Sequence, residues 1–134
     1  MMLDKITEKW LRDNKACEQD FIWFLNKATK SIEGEGLYLD INLENLNMIL
    51  KLDPTYGPKS KLVFILYHLD EAAYYDYDEI QDANINKCSK ERKEAEEQKV
   101  EHTCTCYESG LKWLENWFKN YIVKLEKEKE NEAR

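Results

Sequence analysis

The sequence predicts an all-α protein, a small helical bundle of two or three long helices plus a short helix, with a solvated charged arm. Glycine and proline are scarce, with four and two residues among 134, and so few turn-forming residues favour long helices over many short strands. Apolar residues also recur three or four positions apart over long stretches, which is the spacing of one helix face. This length suits one ordinary domain, so residues 1–134 are expected to form a single helical domain.

The first long helix is expected over residues 3–32, which contain no glycine or proline. The apolar residues there follow a helical stripe that is interrupted near Asn14. Gly34 and Gly36 are expected to end the helix, because glycine is common just beyond a helix C-terminus. The consecutive apolar residues 21–24 predict that the second half of the helix is the more deeply buried half.

Residues 37–43 are ambiguous, because their alternating apolar side chains are typical of a strand and the only other strand-like run is 62–67. Strand and extended loop both remain open for 37–43. We favour an extended entry followed by a short helix at 43–52, with Asn42 as its N-cap. Residues 53–60 are predicted to be a loop from their composition.

A second long helix is expected after Lys59, since no glycine or proline occurs again before Gly110. Its apolar residues lie three or four apart and predict one buried face: Leu62, Leu66, Leu69, Ala73, Tyr77 and Ile80. Residues 84–104 are almost free of apolar side chains and form the predicted solvated arm. This arm either continues the helix, or begins after a break at 84–86, or is partly disordered.

The last helix is expected at about 110–130, with Ser109 as its cap. Its inward face is predicted to consist of Leu111, Leu114, Phe118, Ile122 and Leu125. Residues 127–134 are strongly charged and are expected to form a frayed tail.

The net charge is −7, and residues 70–82 carry six acids and no base. Such an asymmetry disfavours direct binding of nucleic acid, which needs a basic surface, and favours a protein partner with a basic surface. The N-terminus lacks the apolar segment of a secretory signal, and no run is long enough to span a membrane. The chain is therefore expected to be cytoplasmic, with no membrane partner.

The predicted binding site is an acidic, tyrosine-bearing helix face. Its residues follow helical spacing and are Asp70, Glu71, Tyr74, Tyr75, Asp78 and Asp82. The helix pattern puts these acids in mid-helix, where like charges repel and cost stability, which suggests that the acids serve a purpose. Arginine and lysine of a partner pair with carboxylates, and arginine stacks on tyrosine. The alternative is a solvated helix face with half-buried tyrosines.

These observations favour a non-enzymatic protein-binding module. In its narrower form it mimics nucleic acid and inhibits a nucleic-acid-binding protein, as some virus-encoded inhibitors do, which is an analogy of class only. Calcium is disfavoured because Ile80 and Gln81 break the EF-hand pattern. Magnesium at the acids is a weak alternative, because the paired acids occur in the reverse of the order that helical pyrophosphohydrolases use.

A second set of residues consists of metal-ligand types: Cys88, His102, Cys104 and Cys106. Their spacing does not match zinc knuckles, which use cysteine pairs with two to four residues between the two cysteines. On a helix Cys104 and Cys106 point away from each other and cannot share an ion, whereas in an extended loop they can. Free thiols are the default expectation, with zinc and a disulfide as alternatives, so no cofactor is predicted.

Trp113, Trp117 and Tyr121 flank the inward face of the last helix. Buried packing is their expected role, and the alternative is a seam for a partner or a homodimer, as in a self-associating structural protein. Glycine-rich phosphate loops, nucleophile elbows and zinc-protease motifs are absent from the sequence. Nothing in it therefore predicts an enzyme.

Overall fold

The fold is taken from a computed structural model, which describes residues 2–52 and 57–132. Within these ranges nine elements follow one another along the chain. They are β1 (Lys5–Thr7), α1 (Glu8–Asp13), α2 (Glu18–Lys27), β2 (Lys30–Ile32), β3 (Gly36–Asp40), α3 (Leu43–Leu50), α4 (Pro58–Leu69), α5 (Glu71–Gln98) and α6 (Cys106–Glu132). The protein is mostly helical, as predicted, but the all-α bundle is not confirmed, because the N-terminal part contains a sheet.

The sheet is antiparallel and small, with strand order β1-β3-β2. Ile6 is opposite Leu39 in one pair of strands, and Ser31 is opposite Leu37 in the other. The predicted helix over 3–32 is therefore wrong. Its N-terminal part is a strand, and the chain leaves helical geometry again at Lys15, which has a φ of 57°.

Local side-chain bonds explain why the short α1 begins where β1 ends. The Thr7 hydroxyl oxygen accepts a 3.0 Å hydrogen bond from the Trp10 backbone N–H, which caps the helix. A carboxylate oxygen of Glu8 accepts a 2.8 Å bond from the Leu37 N–H and so ties α1 to β3. Gly36 has a φ of 82°, and a Cβ there would lie 2.8 Å from the Glu8 carboxyl carbon, so this close approach requires glycine.

The ambiguous segment after Gly36 resolves into a strand and a helix. β3 is paired on both sides by strands that the sequence did not indicate, because each has only three residues. Residues 62–67, the other strand-like run, lie in α4. The predicted cap is confirmed, since Asn42 Oδ1 accepts a 2.8 Å hydrogen bond from the Asn45 N–H. Of the predicted loop at 53–60, residues 53–56 lie outside the described part, and α4 already begins at Pro58.

The long helix expected after Lys59 is two helices, separated at Asp70. This residue leaves helical geometry, with φ −154° and ψ 91°, and its Oδ1 accepts a 3.1 Å hydrogen bond from the Ala73 N–H. Asp70 is thus the N-cap of α5, and the prediction that Asp70 and Glu71 lie in mid-helix is wrong. At a helix start, negative charge is favourable because it meets the positive end of the helix dipole.

The polar arm is helical without a break at 84–86 and continues to Gln98, where Lys99 adopts a left-handed φ of 58°. The chain then reverses through 99–105. α6 begins at Cys106, so Ser109 is not its cap, and it continues to Glu132. Most of the predicted frayed tail at 127–134 is therefore helical, and its last two residues lie outside the described part.

Two clusters of buried side chains form the core. The larger joins α3, α4, α5 and α6, and its centre contains Leu66 and Leu114, each with 0% exposure. The predicted inward face of α6 is confirmed at Leu114, Phe118, Ile122 and Leu125. On α5 the prediction fails at Ile80, which is 42% exposed.

The smaller cluster lies between the sheet and the first two helices and consists of Ile6, Leu11, Phe24 and Ala28. The predicted burial of 21–24 is only partly correct, because Phe24 is 3% exposed and Ile22 is 51% exposed. A cavity of about 80 Å³ lies between the two clusters, with almost entirely apolar walls. In the described part of the chain, no helix is long and apolar enough to cross a membrane.

Candidate functional site

The first candidate site is the surface at the start of α5. Glu71, Tyr75, Asp78 and Asp82 are all exposed there, and Tyr74 is half-buried beside them. The helical spacing predicted from the sequence is thus realised in the fold, since these residues all belong to one continuous helix. The sixth predicted residue, Asp70, lies at the end of this surface, and its carboxylate caps the helix.

A row of contacting aromatic rings leads into this surface. Neighbouring ring centroids in the row lie between 4.6 and 5.9 Å apart. In order, the row contains Trp10, Phe64, His68, Tyr67, Tyr74 and Tyr75. Trp10 and Phe64 pack against the smaller core cluster, whereas Tyr67 and Tyr75 are 39% and 56% exposed. The exposed tyrosines are therefore held by rings anchored in the core.

Tyr67 belongs to this surface and was missed by sequence reasoning. It lies in the last turn of α4, four residues before Glu71 and seven before Tyr74. In the one continuous helix that the sequence predicted, Tyr67 would precede Glu71 by one turn and could have been included, although the break at Asp70 separates the two residues. We call Tyr67, Asp70, Glu71, Tyr74, Tyr75, Asp78 and Asp82 the acidic aromatic face.

The acids of this face are not neutralised within the fold. In residues 2–52 and 57–132, none of the ion pairs involves an acid of residues 70–82. Glu71 accepts a 3.4 Å hydrogen bond from the Tyr75 hydroxyl, and its negative charge raises the pKa of that phenol. Tyr75 is thus a neutral ring beside carboxylates at ordinary pH.

The predicted seam on α6 is occupied by the chain's own packing. The Trp117 and Tyr121 rings are stacked with centroids 5.4 Å apart, and the Tyr121 hydroxyl donates a 2.6 Å hydrogen bond to the Leu3 carbonyl. Trp113 lies against Tyr77, with ring centroids 5.5 Å apart. All three predicted seam residues are half-buried. A homodimer through them remains a prediction.

The second candidate site is a cluster of sulfur atoms where α5 and α6 meet. The Cys88 thiol donates a 2.9 Å hydrogen bond to the Cys104 sulfur, and its own sulfur lies 3.1 Å from His102 Nε2. Cys106 donates to the Asn84 carbonyl at 3.3 Å. The three sulfurs lie within 4.8 Å of one another. All four ligand-type residues that the sequence suggested are therefore brought together, because the chain reverses at Lys99.

Hydrogen bonding polarises this cluster. The bond with Cys104, together with burial, raises the pKa of the Cys88 thiol, whereas the same bond lowers the pKa of Cys104. Of these two thiols, Cys104 is thus the one that more readily carries negative charge. A polar pocket of about 140 Å³, lined in part by Cys88, His102 and Cys106, opens beside the cluster.

The acids of the acidic aromatic face do not converge in the same way. Among the described residues, the one group of three or more ligand-type side chains close enough to share an ion is the cysteine trio. The geometry of the described residues therefore does not support a magnesium site at these acids, which was a weak alternative from the sequence.

Comparison with known proteins gives no match: no family model, no curated protein and no solved structure is significantly similar to this chain.

Proposed function

We propose that the protein is a non-enzymatic binding module that presents its acidic aromatic face to a protein with a basic surface. The observation that carries this proposal is the combination of exposed rings with carboxylates that have no basic partner in the described part of the chain. Lysine and arginine of a partner would supply the missing positive charge, and arginine would also stack on Tyr67 or Tyr75. In the narrower form, the partner binds nucleic acid, and the carboxylates occupy the place of phosphates.

The rigidity of the face supports the proposal. Two exposed tyrosines extend from a row of rings that ends in the core, so little side-chain freedom is lost on binding. Tyrosine also contributes a large contact area with few rotatable bonds, which is why it is common in binding surfaces. A merely solvated face needs no such support.

Two of the acids lie where negative charge stabilises the helix. Asp70 and Glu71 lie at the start of α5, where the helix dipole favours them, so they do not by themselves indicate a sacrifice of stability. Asp78 and Asp82 lie beyond the first turn and remain four residues apart on the exposed surface. Their mutual repulsion is a few tenths of a kcal/mol. They are the acids whose position the fold does not explain.

The test is a capture experiment with matched charge variants. The wild-type chain, the triple variant Glu71→Lys/Asp78→Lys/Asp82→Lys and the control Glu126→Lys/Glu130→Lys/Glu132→Lys are immobilised and exposed to extract of the native host. The control changes the net charge equally at three exposed acids of α6 that take part in none of the ion pairs. Retained proteins are identified and quantified at low and high salt.

The wild type and the control should retain the same basic proteins at low salt and release them at high salt. The triple variant should bind them roughly threefold to a hundredfold more weakly, since about 0.2–1 kcal/mol is expected for each exposed charge pair. The proposal would be wrong if the triple variant retained the same proteins as strongly as the wild type. It would also be wrong if high salt did not reduce the amount of protein that the wild type retains. Displacement of the partner by duplex DNA tests the narrower form.

A further inference from the structure

We propose that one zinc ion binds to Cys88, His102, Cys104 and Cys106 and stabilises the chain reversal between α5 and α6. Cys88 lies within α5, His102 and Cys104 lie in the connecting segment 99–105, and Cys106 is the first residue of α6. The four ligands thus come from both sides of the reversal and from its middle. A single ion there would join the polar half of α5 directly to the helix that follows.

The distances suit a tetrahedral ion after small movements. Zinc–sulfur bonds are about 2.3 Å and zinc–nitrogen bonds about 2.0–2.1 Å, so ligand atoms around one ion lie about 3.5–3.8 Å apart. Cys88 and Cys104 have their sulfurs 2.9 Å apart, and no two sulfurs of the trio exceed 4.8 Å. The three sulfurs therefore need to move by about 1 Å or less for zinc to fit, whereas His102 lies outside the group that meets the 4.8 Å limit and must approach Cys104 and Cys106 more closely.

The backbone conformation allows Cys104 and Cys106 to bind the same ion despite their close spacing in the sequence. Cys104 and Cys106 cannot share an ion if both lie on a helix, but Cys104 lies in the non-helical segment and Cys106 at the very start of α6. His102 lies at the edge of the trio through its 3.1 Å contact with Cys88. The polar pocket beside the cluster provides a route for the ion from solvent.

The second half of α5 has little apolar packing to hold it against the rest of the protein. Of residues 78–98 of α5, all described, Cys88 alone is buried, and the helix has no other hydrophobic anchor beyond Tyr77. Salt bridges on a solvated helix add little. A bound metal contributes folding energy directly where apolar packing is missing.

The ligand chemistry favours zinc in a structural role. Three cysteines and one histidine are a typical set for a structural zinc ion, and four protein ligands leave no open position for a substrate. Calcium and magnesium prefer oxygen ligands and are excluded by this set. The site is separate from the acidic aromatic face, so the proposal does not depend on the proposed function.

The experiment uses the full chain, expressed without a tag and purified under reducing conditions. Elemental analysis should find one zinc ion per chain, and removal by a chelator should lower the melting temperature by roughly 5 °C or more, with recovery on adding zinc. Cobalt(II) added to the stripped protein should give the intense visible bands of a tetrahedral site and thiolate-to-cobalt charge transfer in the near ultraviolet.

Four variants complete the test. Cys88→Ser and Cys104→Ser should lose the zinc, whereas the matched control Cys17→Ser, at an exposed cysteine on α2's N-cap, should keep it. The triple lysine variant of the acidic aromatic face should also keep its zinc, which separates this proposal from the proposed function. The proposal would be overturned by any of three results. The wild-type protein could be purified without zinc and fail to bind added zinc or cobalt, it could contain a Cys88–Cys104 disulfide in place of metal, or Cys88→Ser could retain zinc.

Discussion

At the scale of single residues, Tyr77 shows how burial changes the chemistry of a side chain. The residue is 6% exposed and its ring lies against Trp113. Burial, with a smaller effect of the neighbouring Asp78 charge, raises the pKa of its phenol to about 12. The Lys59 ammonium lies 5.8 Å from the same ring, and burial lowers the pKa of that lysine.

Stability should consequently fall as pH rises from about 10 to about 12. An unfolded tyrosine loses its proton near pH 10 whereas folded Tyr77 keeps its proton to about 12, so the native state binds more protons in this window. The contribution of Tyr77 is complete below pH 10 and is lost as pH passes 12. Its size is about 3 kcal/mol, since pKa values of 10 and 12 differ by two units and each unit corresponds to about 1.4 kcal/mol.

Urea unfolding at closely spaced alkaline pH values checks this prediction. Tyr77→Phe should flatten the decline in unfolding free energy with pH, and Tyr38→Phe, at a half-buried ring of β3, should leave the decline as in the wild type. Parallel curves for the wild type and Tyr77→Phe would contradict the burial argument.

At the scale of elements, one ion pair joins the N-terminal helices to the main core. The Lys61 ammonium of α4 lies 3.2 Å from the Asp20 carboxylate of α2, and their side chains are 9% and 17% exposed. The same ammonium lies 5.3 Å from the Trp23 ring. Since both charges are largely withdrawn from water, the pair depends on good geometry much more than a surface pair does.

Asp20→Asn should therefore lower the free energy of unfolding by about 1–3 kcal/mol, because a buried ammonium loses an opposite charge that lies 3.2 Å away. Asp13→Asn is the matched control, as its pair with Lys9 is 2.8 Å long but 58% exposed on both sides. The control should cost no more than about 0.5 kcal/mol. Chemical denaturation measures both, and equal effects would mean that burial of the pair contributes nothing.

Elements also show what the sequence could and could not predict. The inward face of α6 and the cap at Asn42 were predictable because each depends on residues within a few turns of one another. The strands were not, since three residues are too few to establish an alternating pattern, and their pairing joins residues 5–7 and 30–32 to 36–40. Asp70 has the residue type of a helix cap, but the apolar spacing continues across it and hides the break.

The candidate sites, too, were predictable only where they depend on residues close together in the sequence. The acidic aromatic face was found, apart from Tyr67, because helical spacing alone defines it. The cysteine cluster was named only as a set of ligand types, because its geometry depends on the reversal at Lys99, a lysine in a left-handed conformation that sequence patterns do not indicate. Residues 14 to 18 positions apart in the chain meet there.

At the scale of the whole molecule, the two core clusters are joined and not independent. Trp23, Ile41 and Ile65 pack against both of them. Side chains shared in this way couple the sheet and first helices to the long helices, so the described part of the chain is expected to unfold in one cooperative transition. The far-ultraviolet and tryptophan signals would then change together.

The cavity between these clusters should make the fold sensitive to hydrostatic pressure. The cavity has a volume of about 80 Å³ and is partly open to solvent, and unfolding eliminates the part that water does not fill, so pressure favours the unfolded chain. Ile65→Phe, which adds volume at a lining residue, should reduce the volume change measured by fluorescence under pressure. If Ile65→Phe left the volume change of unfolding unchanged, this cavity would not be the source of the pressure sensitivity. Pressure would thus act through the junction that unites the two halves of the core.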